Sequence, residues 1–227
     1  MGLLRALYRP ERRRARALVL GWLVWTWLAS PAVAASAPTH DKKRDPVECR
    51  IDALCNSLLQ YTETSNAKRR IFADMSDEVL PTVGKGHWRE FPSVKALEAA
   101  GKDSGAQGRN INTSAYVWSR QDGSILVSAF FQSGSGDWAH FVQYCYRPDG
   151  TLARSESTLN TFYAEDGKGP VQRVRVRYYD PAGGIFRRSV IVSDLRTKKP
   201  NPTREFLDQE EPAYTSKGAL PFFKRAK

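Results

Sequence analysis

The chain has 227 residues and a formal net charge of +11. Its first 16 residues hold six arginines and one glutamate, so the 193 residues beyond position 34 carry only +6. That length is sufficient for one domain with a hydrophobic core, and the mild charge argues against the strongly basic class of nucleic-acid-binding proteins.

The first 34 residues have the order of a secretory signal peptide. The basic segment MGLLRALYRPERRRAR precedes the apolar run ALVLGWLVWTWLAS and the small residues PAVAASA. Ala32-Val33-Ala34 fits the A-x-A cleavage rule. We therefore expect an exported protein, periplasmic or extracellular, with the signal peptide 1–34 removed and a polar, flexible leader at 35–46.

An uncleaved membrane anchor is the alternative for the same segment. Residues 17–37 form an uncharged run of 21 residues, and a spanning helix needs about 20. Both interpretations keep the arginines inside and place the rest of the chain across the membrane.

The segment from 47 to about 101 has helical character. Between 52 and 61, apolar residues recur at helical spacing, at Leu54, Cys55, Leu58 and Leu59. Residues 93–100 predict a short helix that ends at Gly101. Residues 66–80 fit either a further helix or an irregular segment before Pro81.

Six β-rich runs follow Thr113 and are joined in pairs by turn signals. These signals are Asp122-Gly123, Pro148-Asp149-Gly150 and Asp180-Pro181-Ala182-Gly183, a pattern typical of hairpins. The sequence therefore predicts one α+β domain over 47–227. It has an N-terminal helical segment at about 47–101, a six-stranded antiparallel meander at about 114–195 and a C-terminal tail at 196–227, with one face of the sheet covered by the helices and the tail. A small β-barrel is the alternative fold.

The three cysteines would enter an oxidising compartment. In a straight helix Cys49 and Cys55 would point about 240° apart, so a bridge between them requires Cys49 to precede the helix. Residues 45–48, Asp-Pro-Val-Glu, offer a non-helical lead-in. We therefore predict a Cys49–Cys55 disulfide with Cys145 as a buried thiol, and Cys55–Cys145 is the alternative pairing.

The clearest charge pattern is VQRVRVRYY at 171–179. In a strand its arginines fall on one face and its apolar residues on the other, and Arg187 or Arg188 joins them across the hairpin, depending on register. Like charges this close are stable in water, beside carboxylates such as Glu156, or against a bound anion. The ordinary interpretation is a solvated face with glutamates of the neighbouring strand, such as Glu156, as partners. The functional one is a set that binds an anion or an acidic partner, here called the arginine row: Arg173, Arg175 and Arg177.

The loop and strand SGSGDWAHFVQYC, residues 133–145, combine residue types used in acyl-transfer enzymes. In a strand, however, His140 and Cys145 point to opposite faces, so they form no dyad unless a bulge intervenes. Asp137 and His140 could meet only if the loop curls toward the strand. We expect Asp137 to end the loop and His140 to pack among aromatic residues.

These patterns predict an exported, non-catalytic envelope protein that binds an anionic ligand, an anionic surface or an acidic partner. A hydrolase that uses Asp137 and His140 is the alternative. The chain carries no metal-binding or cofactor-binding motif of familiar spacing, so we expect no metal, no cofactor and no nucleic-acid partner.

Overall fold

The computed structural model describes residues 45–64, 68–76, 86–106, 111–162, 169–202, 204, 206 and 210–223. The predicted signal peptide and all but the last two residues of the predicted leader lie outside the described residues. The sheet, both helices and the described part of the tail belong to one compact unit, residues 44–227.

Helix α1 spans Pro46–Thr62. The side chain of Asp45 accepts a hydrogen bond from the backbone N–H of Val47 at 2.7 Å, and Pro46 at the first helical position has no N–H that would need a partner. Helix α2 spans Val94–Ala106 and therefore continues through Gly101, where the sequence predicted its end. An interior glycine costs only about 1 kcal/mol relative to alanine. Within the described ranges, neither helix is long and apolar enough to cross a membrane.

Eight antiparallel strands form one sheet with the order β2-β1-β3-β4-β5-β6-β7-β8. The prediction of an α+β fold with an antiparallel sheet is confirmed, but the predicted number of six strands is wrong. The barrel alternative is also wrong, because β2 and β8 lie at opposite ends of an open sheet. The strands are β1 (Arg69–Asp74), β2 (Trp88–Phe91), β3 (Thr113–Ser119), β4 (Ile125–Gln132), β5 (Trp138–Tyr146), β6 (Leu152–Thr161), β7 (Val171–Tyr179) and β8 (Ile185–Asp194).

The two additional strands lie outside the region where the sequence predicted the sheet. Residues 66–80 were expected to form a helix or an irregular segment, yet β1 pairs along β3, with Phe72 opposite Ala115. Ile71 then packs toward α2 and Phe72 toward the tail. Burial on both faces of the sheet therefore determines the conformation of a segment that has no clear local preference.

The sheet is covered differently on its two faces. Helix α1 packs with Ile51, Cys55 and Leu58 against Leu126 and other residues of one face. The opposite face is covered by tail residues that include Tyr214 and Leu220. The tail therefore lies over the sheet as predicted, but the expectation that the helices and the tail share one face is wrong. We call the second face the tail face.

The disulfide joins Cys55 of α1 to Cys145 of β5, with a Cα–Cα distance of 5.7 Å. The predicted Cys49–Cys55 bridge is therefore wrong, and so is the expectation that Cys145 is a thiol. The cause is the helix start: residues 46–48 are already helical, so Cys49 lies within α1, where it points away from Cys55 and is exposed.

Candidate functional site

The arginine row lies on the tail face of β7, and it is not an exposed surface. Arg173 is 1% exposed and Arg175 is 7% exposed, and the side chain of Arg177 is 12% exposed. Strand alternation places all three on one face, as predicted. The tail covers them.

Two tail carboxylates neutralise most of this charge. Glu211 lies 3.6 Å from Arg173, 3.0 Å from Arg175 and 2.7 Å from Arg177. Glu210 lies 3.3 Å from Arg175 and 3.6 Å from Arg177. The arrangement is thus a largely buried ion-pair network.

The partner suggested from the sequence was wrong. Glu156 pairs with Arg154 at 3.1 Å, and its strand position is opposite Val176 rather than an arginine of the row. Its side chain therefore points to the other face of the sheet.

The two glutamates differ in environment although they are adjacent in sequence. The side chain of Glu211 is 1% exposed, whereas that of Glu210 is 74% exposed. Glu211 is consequently the buried counterion of the arginine row. Glu210 is a solvent-screened counterion at its edge.

His140 lies on the same face beside this network. Its Nε2 is 3.4 Å from a guanidinium nitrogen of Arg173, and its ring is 6.2 Å from that of Phe131. Burial, followed by the positive charge of the three arginines, lowers the pKa of His140 to about 3. The imidazole is therefore neutral at physiological pH.

Asp137 and His140, the residues of the hydrolase alternative, have different partners. The carboxylate of Asp137 accepts a hydrogen bond from Ser135 within the loop, and its backbone N–H donates to Ser133 Oγ at 2.7 Å. His140 is 1% exposed and contacts Arg173 instead. A general base needs to reach its substrate, and this histidine is enclosed.

Hydrogen bonds hold the tail in place across the sheet. The hydroxyl of Tyr144 donates to Pro212 O at 3.0 Å, and that of Tyr146 donates to Tyr214 O at 3.0 Å. The backbone N–H of Leu152 donates to Thr215 O at 2.9 Å. These bonds fix the chain immediately after Glu211, so the carboxylate is presented to the arginines by a well-anchored segment.

An open cavity of about 530 Å³ adjoins the end of the arginine row. Arg177 lies directly opposite Arg188 in the β7–β8 ladder, and Arg187 is opposite Tyr178. We call this space the arginine cavity; its lining residues are Arg177, Ile185, Phe186, Arg187, Arg188 and Glu210.

A larger groove, of about 710 Å³, lies between the start of α1 and two hairpin turns. Three carboxylates line it, and each already accepts a backbone N–H: Asp45 from Val47, Asp149 from Thr151 and Asp180 from Gly184. These carboxylates outnumber the two arginines of the same lining, Arg50 and Arg147, so the groove is a poorer environment for an anion than the arginine cavity.

Sequence reasoning identified the arginines but missed Glu210 and Glu211. The available signal was a pair of adjacent acids in the tail, and such a pair gives no indication of which strand it will contact. Comparison with protein-family models, curated proteins and solved structures finds no match.

Proposed function

We propose that this chain is an exported, non-catalytic envelope protein that binds an anionic group in the arginine cavity. One observation carries the proposal: Arg177, Arg187 and Arg188 line a single open cavity in which, among the described residues, Glu210 is the only acidic one. Arg187 also pairs with Glu48 of α1 at 3.4 Å, so Arg177 and Arg188, which lie opposite each other, supply most of the positive charge that faces the cavity. Because Glu210 is 74% exposed, water screens its charge and an external anion can compete with it.

Within this proposal the buried part of the arginine row has a supporting role. Glu211 holds one guanidinium nitrogen of Arg177 at 2.7 Å, while the other faces Glu210 at 3.6 Å. Arg177 is thereby oriented toward the cavity before any ligand arrives. Such preorganisation reduces the entropy cost of binding.

Export is supported by the order of the N-terminal residues and by the Cys55–Cys145 disulfide, which suits an oxidising compartment. N-terminal sequencing of the protein from a periplasmic fraction should begin at or near Ala35. Full-length protein retained in the membrane would favour the anchor instead.

The hydrolase alternative has less support. His140 is buried beside three arginines, which keeps its pKa near 3, and Asp137 bonds within its own loop. A histidine with that pKa is a weak base at neutral pH.

The test is direct binding of defined anions to the purified protein at low and physiological salt. The probes are inorganic phosphate, tetraglutamate and phosphatidylcholine vesicles that contain phosphatidylglycerol. These arms distinguish a free oxyanion, an acidic peptide and an anionic membrane. The variant R187Q/R188Q should weaken binding at least about tenfold, and wild-type binding should weaken as salt rises.

The matched control is R196Q/K199Q, which removes the same charge from exposed positions that do not line the arginine cavity. It should change affinity by no more than about twofold. Equal loss in both double variants would show that only net charge matters, and the proposed site would then be wrong.

A further inference from the structure

Strand β8 is an edge strand with an unusually exposed surface. Seven consecutive residues, 185–191, are exposed. Four are large and apolar: Ile185 at 51%, Phe186 at 41%, Val190 at 51% and Ile191 at 48%. Soluble proteins usually shorten, cover or twist such an edge, because its unpaired backbone groups can pair with another chain.

At its C-terminal end, the outer edge of β8 is covered by the chain segment that follows it. The backbone N–H of Asn201 donates to Val192 O at 2.8 Å, and that of Asp194 donates to Lys199 O at 3.0 Å. Among the described residues, no backbone segment pairs in this way with the outer side of 185–191. Backbone groups alternate along an antiparallel strand, so those of Arg188 and Val190 point to the same outer side as those of Val192.

The same strand forms a wall of the arginine cavity. Ile185, Phe186, Arg187 and Arg188 all line that cavity. The side chains of Arg188 and Val190 lie on the tail face, opposite Arg177 and Arg175 respectively. A strand added outside β8 would therefore place one of its side chains next to Arg188 at the mouth of the cavity.

We propose that β8 binds an extended acidic segment of a partner protein, which adds to the sheet as a ninth strand and places a carboxylate in the arginine cavity. This inference rests on the proposed function and specifies the carrier of the anionic group. Main-chain hydrogen bonds to an exposed sheet edge provide affinity, and alternate side chains provide specificity.

Charge decides between a partner and a second copy of this chain. Pairing two β8 strands around Arg188 would bring the positive charge of that residue from both copies to one seam, and like charges across a strand pair are destabilising. Arg187 contributes less, because Glu48 already pairs with it at 3.4 Å. An acidic segment reverses the sign of the interaction across the seam. The recognised pattern is an acidic residue beside Arg188 and an apolar residue beside exposed Ile191, three positions apart and therefore on opposite faces of the added strand.

The experiment uses two capped eight-residue peptides that alternate valine with either glutamate or glutamine, titrated into the purified full chain. We expect the Val-Glu peptide to bind and the Val-Gln peptide to bind at least about tenfold more weakly. On binding, the amides of Arg188 and Val190 should become protected from hydrogen exchange. Binding by charge alone would not protect them.

A pair of variants isolates the backbone contribution. Val190→Pro removes an outward N–H, and proline is tolerated on an edge strand where that N–H faces solvent. Val190→Thr keeps the N–H and is the matched control. Val190→Pro should weaken binding of the Val-Glu peptide at least about tenfold but change the affinity for phosphate by no more than about twofold.

Failure of this inference differs from failure of the proposed function. If Val190→Pro and Val190→Thr bind the peptide equally and no amide is protected, the added strand is wrong, although anion binding to the arginine cavity stands. If neither phosphate nor either acidic peptide binds, both are wrong. Equal affinity for the Val-Glu and Val-Gln peptides would overturn the proposal that the partner segment is acidic. If sedimentation shows a dimer of the wild type and a monomer of Val190→Pro, the edge of β8 binds a second copy of this chain instead.

Discussion

Replacement of Glu211 by glutamine should be among the most destabilising conservative changes in the tail. Its carboxylate is 1% exposed and lies 2.7 to 3.6 Å from all three arginines of the row. The amide cannot neutralise their charge, so buried guanidinium groups would lose their principal counterion. Breaking a buried ion pair by removing one partner costs about 3–5 kcal/mol.

Glu210→Gln is the matched control, because it changes the adjacent residue in the same chemical way. Glu210 also contacts Arg175, at 3.3 Å, but its side chain is 74% exposed. Exposed ion pairs contribute about 0–1 kcal/mol. The difference between the two variants should therefore be about 3 kcal/mol, which arises from burial rather than from the number of contacts.

Urea unfolding followed by tryptophan fluorescence measures both values, since Trp88, Trp118 and Trp138 lie within the domain. Thermal melting should show a lower Tm for Glu211→Gln by on the order of 10 °C. Equal free energies of unfolding for the two variants would refute the reasoning. The tail would then be held by its apolar and tyrosine contacts, and the ion-pair network would contribute nothing measurable.

Three further predictions concern stability. Reduction of the Cys55–Cys145 bridge, whose cysteines are 90 positions apart, should lower the free energy of unfolding by about 4 kcal/mol in urea titrations; exchange of exposed Cys49 for serine should have no such effect. The pKa of His140 falls to about 3 on folding, so as the pH drops its imidazole is protonated in the unfolded chain before it is protonated in the folded one. Between pH 7 and pH 5 the free energy of unfolding of the wild type should therefore fall by about 2 kcal/mol, and a His140→Gln variant should not show this loss. A triple variant that replaces Arg173, Arg175 and Arg177 by glutamine should have a lower Tm, because Glu211 would remain buried without a cation. An unchanged Tm would contradict a stabilising role of the ion-pair network.

The sequence by itself determined the elements that depend on local signals. Strands β3 to β8 lie where the β-rich runs lie, because alternation and turn residues act over a few positions. The turn before Thr151 shows this directly: Gly150 adopts a φ of 85°, which only glycine accepts without strain. The facing of the arginine row also followed from strand alternation alone.

Tertiary structure decided everything that joins distant positions. Strand β1 had no clear local preference and became a strand by pairing with β3. Cys49 is the nearest possible disulfide partner of Cys55 in the sequence, yet Cys55 bonds to Cys145. Cys49 and Cys55 lie in one helix and point in different directions, whereas packing of α1 against the sheet brings Cys55 next to Cys145.

The candidate site follows the same division. Strand alternation predicted three arginines on one face. Whether that face is exposed to water, binds an external anion or is covered by the tail depended on the path of the tail across the sheet. Arg175 and Glu211 are 36 positions apart, and no periodicity links them. The charge of a strand follows directly from its own residues. Its exposure to solvent depends on the whole fold, because a side chain is buried only when segments remote in sequence pack over it and exclude water.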